Sequence, residues 1–338
     1  MEPQIAERYN DNILHTAKRH FGIEANRIKL LDGFESFIYE FNRHDGDFIL
    51  RISHSLRRSK EMIAGEIDWI NYLAKGGANV AKAIPAKDGS LVKAIDDGHG
   101  DQFLATAFVK AQGNPPWEVE LPPDFAEHYG QSIGRIHALT KDYTPANPAW
   151  RRPEWDASGN LEIADWLPDS ETATLHKFQE LKPYFDTLPK DRDGYGLIHH
   201  DAHGGNYFVH EGQMTLFDFD DCAYGWFIYD IAVVFFGELM WKTKNREAVE
   251  QFTKKFLTGY SRENALNPEW LASIPFFLKL REIDLYAVIH RSFDVETMDD
   301  PWCLKYMDGR KAKILGNVPY IDFDWSRLAA CLSSTSGS

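Results

Sequence analysis

The stretch Leu197-Ile-His-His-Asp-Ala-His-Gly-Gly-Asn-Tyr-Phe-Val209, followed by Leu216-Phe-Asp-Phe-Asp-Asp221, constrains this chain more tightly than any other part of it. An apolar strand end delivers His199 and Asp201 into a turn, and Asn206 stands five residues after Asp201, just before a second strand. Residues 207–209 and 214–217 read as two strands of a hairpin with Glu211-Gly212 at its turn. Pairing Val209 near Met214 brings Asn206 opposite Phe217 and Asp218, an amide oxygen beside a carboxylate, with Asp201 close to both. Phosphoryl transfer to a hydroxyl needs that set: a carboxylate to orient the hydroxyl and accept its proton, and hard oxygens to hold Mg2+ against the phosphates.

The rest of the chain is that of a globular protein. Its 338 residues are 43% hydrophobic and 26% charged, enough for a sizeable core and long enough for two lobes. With 37 Lys and Arg against 51 Asp and Glu, the formal net charge of −14 disfavours nucleic acid and anionic membrane surfaces as partners. The richest apolar run, 231–236, falls far short of the roughly 20 residues needed to cross a bilayer. Polar residues from Gln4 to Asp11 interrupt any apolar region near Met1. Three scattered cysteines, Cys222, Cys303 and Cys331, fit a reducing compartment, so the expected location is the cytoplasm.

Short strand patterns divided by turns fill much of the first hundred residues. Residues 37–41 and 48–52 read as a hairpin around Asp45-Gly46, with further strands at 82–85, 90–95 and 102–108. One prominent helix is expected at 59–75, with Ile63, Ile67, Ile70 and Ala74 on one face and Gly76-Gly77 ending it. Lys110-Ala-Gln-Gly-Asn-Pro-Pro116 breaks regular structure and marks the boundary between an N-terminal nucleotide-binding lobe, 1–108, and a C-terminal lobe, 109–332. Helices are expected there at 125–139, 162–166, 172–181, 231–241, 246–260, 268–280 and 282–293, and 333–338 reads as a flexible tail. The fold class is α+β: an N-terminal antiparallel sheet plus a helix, then a mainly helical lobe.

Alternation along 48–53 puts Phe48, Leu50 and Ile52 on one face and Arg51 on the other. In the helix that follows, Glu66 lies between Ile63 and Ile70 on the apolar stripe, where an acid needs a partner. Arg51 is the natural candidate.

His199-x-Asp201-x-x-x-x-Asn206, a short hairpin, then Asp218-Phe219 resembles the catalytic core of the aminoglycoside phosphotransferase and choline kinase family, relatives of the protein kinases. Tyr129-Gly-Gln-Ser-Ile-Gly-Arg-Ile-His-Ala-Leu139 resembles that family's long helix beneath the catalytic loop, and Tyr229-Asp230-Ile-Ala the segment after its metal-binding Asp. The resemblance spans about residues 25 to 240. It implies a bilobal protein-kinase-like fold and ATP and Mg2+ as cofactors, the nucleotide lying near a hinge at 106–112. Asp201 would be the catalytic base, His199 a residue bracing its loop, and Asn206 and Asp218 the metal ligands. Arg51 and Glu66 would form the ion pair that positions nucleotide phosphates, with Arg where the family usually has Lys. Leu31-Asp-Gly-Phe-Glu-Ser-Phe-Ile-Tyr39 holds the place of the nucleotide loop, with Gly33 and Ser36 against phosphate. No Gly-x-x-x-x-Gly-Lys-Ser/Thr run occurs, which excludes a P-loop ATPase.

Acceptor contacts in such a family come from the helical lobe, where the candidates are Asp220, Asp221, Trp226, Arg281, Glu282, Tyr286 and His290. The acidic and aromatic composition points to a small cationic acceptor: an aminoglycoside, an amino alcohol or a hydroxy amino acid. Two rivals stand beside this. A bacterial protein Ser/Thr kinase could use the same scaffold, although no Ala-Pro-Glu motif or long activation segment lies between Asp218 and Tyr229. A metallohydrolase could use His199, His200, His203 and Asp201 as transition-metal ligands. Asp230, preceding Ile231-Ala-Val-Val, reads equally as a helix N-cap.

Overall fold

The computed structural model describes the chain except residues 1–2, 25–26, 32, 34, 158–160, 241, 243 and 333–338, so the expected tail lies outside the described residues. In chain order the elements are α1 (Pro3–Arg8), α2 (Asp11–Phe21), β1 (Ile28–Leu30), β2 (Phe37–Arg43), β3 (Gly46–His54), α3 (Lys60–Lys75), β4 (Ala83–Ile84), β5 (Lys93–Asp96) and β6 (Gln102–Val109). There follow α4 (Phe125–Thr140), α5 (Ile163–Trp166), α6 (Thr172–Asp186), β7 (Tyr195–Ile198), β8 (Tyr207–His210), β9 (Gln213–Leu216), β10 (Ala223–Trp226) and α7 (Phe227–Leu239). The last are α8 (Arg246–Glu263), α9 (Ile274–Ser292), α10 (Pro301–Met307), α11 (Arg310–Leu315) and α12 (Ala329–Leu332).

These elements form two compact units: Met1–Pro115 with Asp142–Arg152 and Tyr207–Asp220, and Pro116–Lys141 with Pro153–Asn206 and Asp221–Ser338. Residues up to Pro115 and two later stretches thus group with the N-terminal sheet. Residues 142–152 do so because Tyr143 Oη and the Ala146 N–H donate to Asp68 on α3 (2.7 and 3.0 Å), and because Gly65 lets the Trp150 carbonyl approach α3 where any Cβ would clash. The β8–β9 hairpin does so through bridges of Val80 to Leu216 and of Asn114 to Val209.

The sheet of the first unit is antiparallel, ordered β1-β2-β3-β6-β4 with β5 also on β6. Alternation divides its side chains between two layers. Phe48, Leu50 and Ile52 of β3 and Phe103, Ala105 and Ala107 of β6 share a core with Ile13, Ala17 and Phe21 of α2. Leu104 on the other face packs with Ile63 and Ile67 of α3. Beyond the one prominent helix expected in this region, α1 and α2 precede the sheet, and α2 packs on one face of it. Its apolar residues recur every fourth position, Asn10 caps its start by accepting from Asn12 N–H, and Gly22 ends it at φ 68°. The other helix begins as expected, with Ser59 Oγ accepting from Met62 N–H.

In the second unit α4 and α8 cross at glycines. A Cβ at Gly130 would strike the Phe256 carbonyl, one at Gly259 the Glu127 carbonyl, and one at Gly134 would lie 2.6 Å from the Tyr260 carbonyl oxygen. The two helices expected at 268–280 and 282–293 are instead a short 3-10 turn, Pro268–Ser273, followed by the continuous α9, because nothing near Arg281 breaks a helix. Helices α10 to α12 were not anticipated by periodicity. Among the described residues no helix is long and apolar enough to cross a membrane, and Cys222, Cys303 and Cys331 are free thiols.

Candidate active site

The first unit carries a buried ion cluster built on β3. Arg51, projecting from the α3 face of the strand, donates to both oxygens of Glu66 (2.8 and 2.6 Å), the fork-to-fork geometry that makes Arg–carboxylate pairs strong. The pair anticipated from strand and helix periodicity is therefore present. A third group, absent from that expectation, joins it: Asp220 lies 3.8 Å from Arg51 and is paired with Arg57, while Arg58 Nε stands 3.6 Å from it. Arg152 donates to the Asp220 carbonyl (2.7 Å) and Arg57 Nε reaches Glu35 of the loop before β2 (3.0 Å). Burial would raise the Asp220 pKa, but Arg57, Arg58, Arg51 and Arg152 outweigh it and hold the carboxylate well below its ordinary value. Burial likewise works against the Arg51 charge, and Glu66, Asp220 and Asp218 more than offset it.

Asp218 sits at the end of the β8–β9 hairpin with φ at 61°, a left-handed conformation that a non-glycine residue adopts at a cost. The register pairs Tyr207 with Leu216, so Asn206 immediately precedes the first pair and Asp218 follows it by two residues. In the loop before β2, a Cβ at Gly33 would strike the Ser36 carbonyl, and Ser36 Oγ is shared with Ser53 Oγ at 2.9 Å.

The second unit carries the loop between β7 and β8. Asp201 is gripped from three sides: Asn206 Nδ2 donates to its Oδ2 (3.0 Å) and to its carbonyl (2.8 Å), His203 Nε2 faces Oδ2 at 3.3 Å, and Arg281 of α9 pairs with Oδ1. Burial would raise the Asp201 pKa, yet His203, Arg281 and His199 hold it well below the carboxylate norm, so the group is ionised. The two bonds from Asn206 use its amide nitrogen and leave Oδ1 as the atom for a cation, which is the hard-oxygen donor a divalent ion takes. The residues present thus fit such an ion.

The loop is held from beneath. His199 and His200 N–H both donate to Asp230 on α7 (2.8 and 2.7 Å), which fixes His200 at φ 73°. Asp230 also faces His137 Nε2 (3.1 Å), whose Nδ1 faces Tyr260 Oη (2.9 Å), and Asn264 donates to that same oxygen (2.7 Å). Ionised Asp230 can only accept, so Nε2 of His137 carries the proton and donates to it; burial lowers the His137 pKa and keeps the ring neutral, so Nδ1 accepts from the Tyr260 hydroxyl. Tyr129 Oη of α4 donates to the Ala202 carbonyl (2.7 Å). Asp230 is therefore no N-cap: the N-cap of α7 is Trp226, and Asp230 lies a turn inside the helix, fully buried.

Residues 27–272 match the model of the phosphotransferase enzyme family. The chain belongs to that family. This phosphotransferase is 34% identical over 324 residues to the amicoumacin kinase of Bacillus subtilis (strain 168), covering 95% of this chain and 96% of that protein. A solved amicoumacin kinase in complex with AMP-PNP and Ca2+ has a TM-score of 0.90 at 33% identity, covering 97% of this chain and all of the other. A microcompartment-associated aminopropanol kinase, with a TM-score of 0.72 at 24% identity over 90% of this chain and 95% of that one, shares the fold. The fold is the protein-kinase-like one that the sequence resemblance implied.

Several side chains expected at the acceptor of the phosphotransferase are engaged elsewhere. Asp220 belongs to the arginine cluster described above. Trp226 is buried among Trp155, Phe185, Tyr195 and Phe277 and donates its indole N–H to the Pro189 carbonyl (3.0 Å). Glu282 is buried between Arg310 (2.7 Å) and Lys279. Tyr286 is buried against His290 at an edge-to-face angle, beside Glu171. Periodicity marks such groups as polar but cannot say what they face. Arg281, by contrast, reaches Asp201, and half-buried Asp221 adds its charge to His200 and Asp284. Of the imidazoles proposed for a metallohydrolase, His199 and His200 are buried and His203 is partly exposed; His199 Nδ1 accepts from Asp201 N–H (3.3 Å) and His203 Nδ1 from Gly205 N–H (2.9 Å). Among the described residues no group of three or more His, Cys, Asp or Glu is placed to hold a metal.

Proposed function

We propose that this phosphotransferase moves the γ-phosphoryl group of ATP to a hydroxyl of a small, amine-bearing acceptor, with Asp201 orienting that hydroxyl. The observation that carries this is the carboxylate of Asp201: ionised, clamped by three partners, and mounted on a loop whose backbone is anchored by Asp230. An oriented anionic acceptor is what a phosphoryl transfer dominated by positioning requires. His199 braces the loop by accepting the Asp201 N–H. Asn206, through Oδ1, and Asp218 are the proposed ligands of a divalent ion, which would neutralise phosphate charge. Arg51, fixed by Glu66, and Gly33 and Ser36 are the proposed phosphate contacts.

An amine on the acceptor is supported by charge: around Arg281 stand Asp201, Asp221 and Asp284, an acid excess that favours a cation. The names of the relatives, amicoumacin kinase and aminopropanol kinase, point the same way. The chain is expected to act in the cytoplasm. The test is coupled ADP release with amicoumacin, aminopropanol, homoserine and spectinomycin. Wild-type turnover with at least one of these, abolished in Asp201→Ala while ATP binding by calorimetry is retained, is the expected outcome. Unchanged turnover in Asp201→Ala would refute the assignment.

A further inference from the structure

Asp201 has more partners than its own loop supplies. Asn206 and His203 secure Oδ2 from within the loop, and both move with it. The contact to Oδ1 comes from outside, from Arg281, 80 residues away on α9. Arg281 is itself fixed: Nη1 donates to Asp284 Oδ2 at 2.8 Å, one turn further along the same helix, and the Arg281 side chain is only 13% exposed. Both terminal nitrogens of the guanidinium are thus committed to carboxylates.

This arrangement is costly for folding. Burial pushes Asp284 up to about 6, with Asp201 and Asp221 adding repulsion against the relief that Arg281 provides. Apolar side chains of similar volume commonly pack at such positions with equal or better stability. Stability therefore does not account for the triad, whereas geometry does. With only loop donors, the carboxylate would be fixed to its loop but not to the helical core. A planar fork held at its other tine by Asp284 ties Oδ1 to a rigid helix and removes the remaining rotation about Cβ–Cγ.

We propose that Arg281 is a positioning residue for the phosphoryl transfer: braced by Asp284, it holds the Asp201 carboxylate in a single orientation and takes no part in binding the acceptor. This rests on Asp201 being the residue that orients the acceptor hydroxyl. The roles separate kinetically. An acceptor ligand, when removed, raises the acceptor KM, whereas a residue acting through Asp201 lowers kcat and leaves KM alone.

Arg281→Met, Arg281→Lys, Arg281→Ala, Asp284→Asn and Asp201→Asn are compared with wild type for ADP release, with amicoumacin, aminopropanol and water as acceptors. Misplacing a catalytic group by about 1 Å costs on the order of a hundredfold in rate, so Arg281→Met should lose about that much kcat, with KM for ATP and acceptor within about twofold. Arg281→Lys should recover part of the loss, Asp284→Asn should lose less, and sub-denaturing guanidinium should restore Arg281→Ala, each variant being assayed at a temperature at which it is folded. A raised acceptor KM at unchanged kcat, or full activity in Arg281→Met, overturns the proposal. If Asp201→Asn turns over like wild type, the role of Asp201 itself fails; if Asp201→Asn is inactive while Arg281→Met is normal, only the positioning role fails. Should Arg281→Met not fold, the Arg281→Lys and Asp284→Asn kinetics decide by the same split.

Discussion

Replacing Asp230 tests how the loop that carries Asp201 is held. Its carboxylate accepts the N–H groups of His199 and His200 at 2.8 and 2.7 Å and faces His137 at 3.1 Å, all fully or nearly fully buried. Asp230→Ala leaves two backbone donors and one imidazole N–H without an acceptor. A buried donor stranded in this way costs about 1–3 kcal/mol, so the sum over three is about 3–9 kcal/mol. A domain holds only about 5–15 kcal/mol in all, so the loss is a large fraction of it. Urea unfolding followed by tryptophan fluorescence reads it as a lowered midpoint. The companion variant Asp193→Asn, which removes a 3.0 Å pair with Lys141 from a side chain 79% exposed, should cost less than about 1 kcal/mol. Asp230→Asn keeps one acceptor oxygen and should fall between the two. An Asp230→Ala protein no less stable than Asp193→Asn would refute the view that this carboxylate carries the loop.

Glu66→Ala strips Arg51 of its bidentate partner and should cost about 3 kcal/mol in thermal unfolding, the low end for a broken buried pair because Asp220 remains; Arg51→Met with Glu66→Leu should regain most of that stability without regaining ATP affinity. Burial pulls His200 down to about 4 from 6.5, a contribution to stability present above 6.5 and lost as pH falls toward 4, whereas burial pushes Asp284 up to about 6 from 3.8, a contribution present below 3.8 and lost as pH rises through 6. The two slopes oppose one another in that window. Asp284→Asn should therefore make stability climb by about 1.4 kcal/mol per pH unit more steeply there than in wild type, measured by urea midpoints across the range, and an unchanged slope would count against the raised pKa. Asp218→Asn should weaken the Mg2+-dependent part of ATP binding in calorimetry, and an undiminished metal response would remove Asp218 from the ligand set. Gly130→Leu drives a side chain into the Phe256 carbonyl at the α4–α8 crossing and should lower thermal stability by at least about 1–3 kcal/mol.

The Arg51–Glu66 pair was legible because two periodicities overlap on it: strand alternation turns Arg51 away from Leu50 and Ile52, and the helical stripe turns Glu66 inward. Asp201 and Asn206 could be grouped from the sequence because one short loop holds both, and the structure bonds them to each other; Asp218 is proposed beside them from the same motif. Helix α2 was missed although Ile13, Ala17 and Phe21 share one face, since the short strands that follow dominate that part of the chain. Trp226 and Glu282 were expected at the acceptor because each has the chemistry of a ligand-binding side chain, and only tertiary packing shows Trp226 bonded to the Pro189 carbonyl and Glu282 paired with Arg310.

Local order along the chain determined the chemistry of this protein, because the types and spacings of the loop residues and the faces of β3 and α3 follow from short-range geometry. Tertiary structure alone decided which distant residues complete that chemistry: Asp230 under the loop across 31 positions, Arg281 on Asp201 across 80, and Arg57 on Asp220 across 163. A contact of that span is set by how helices and sheet pack, and packing leaves no periodic trace in the residues it brings together.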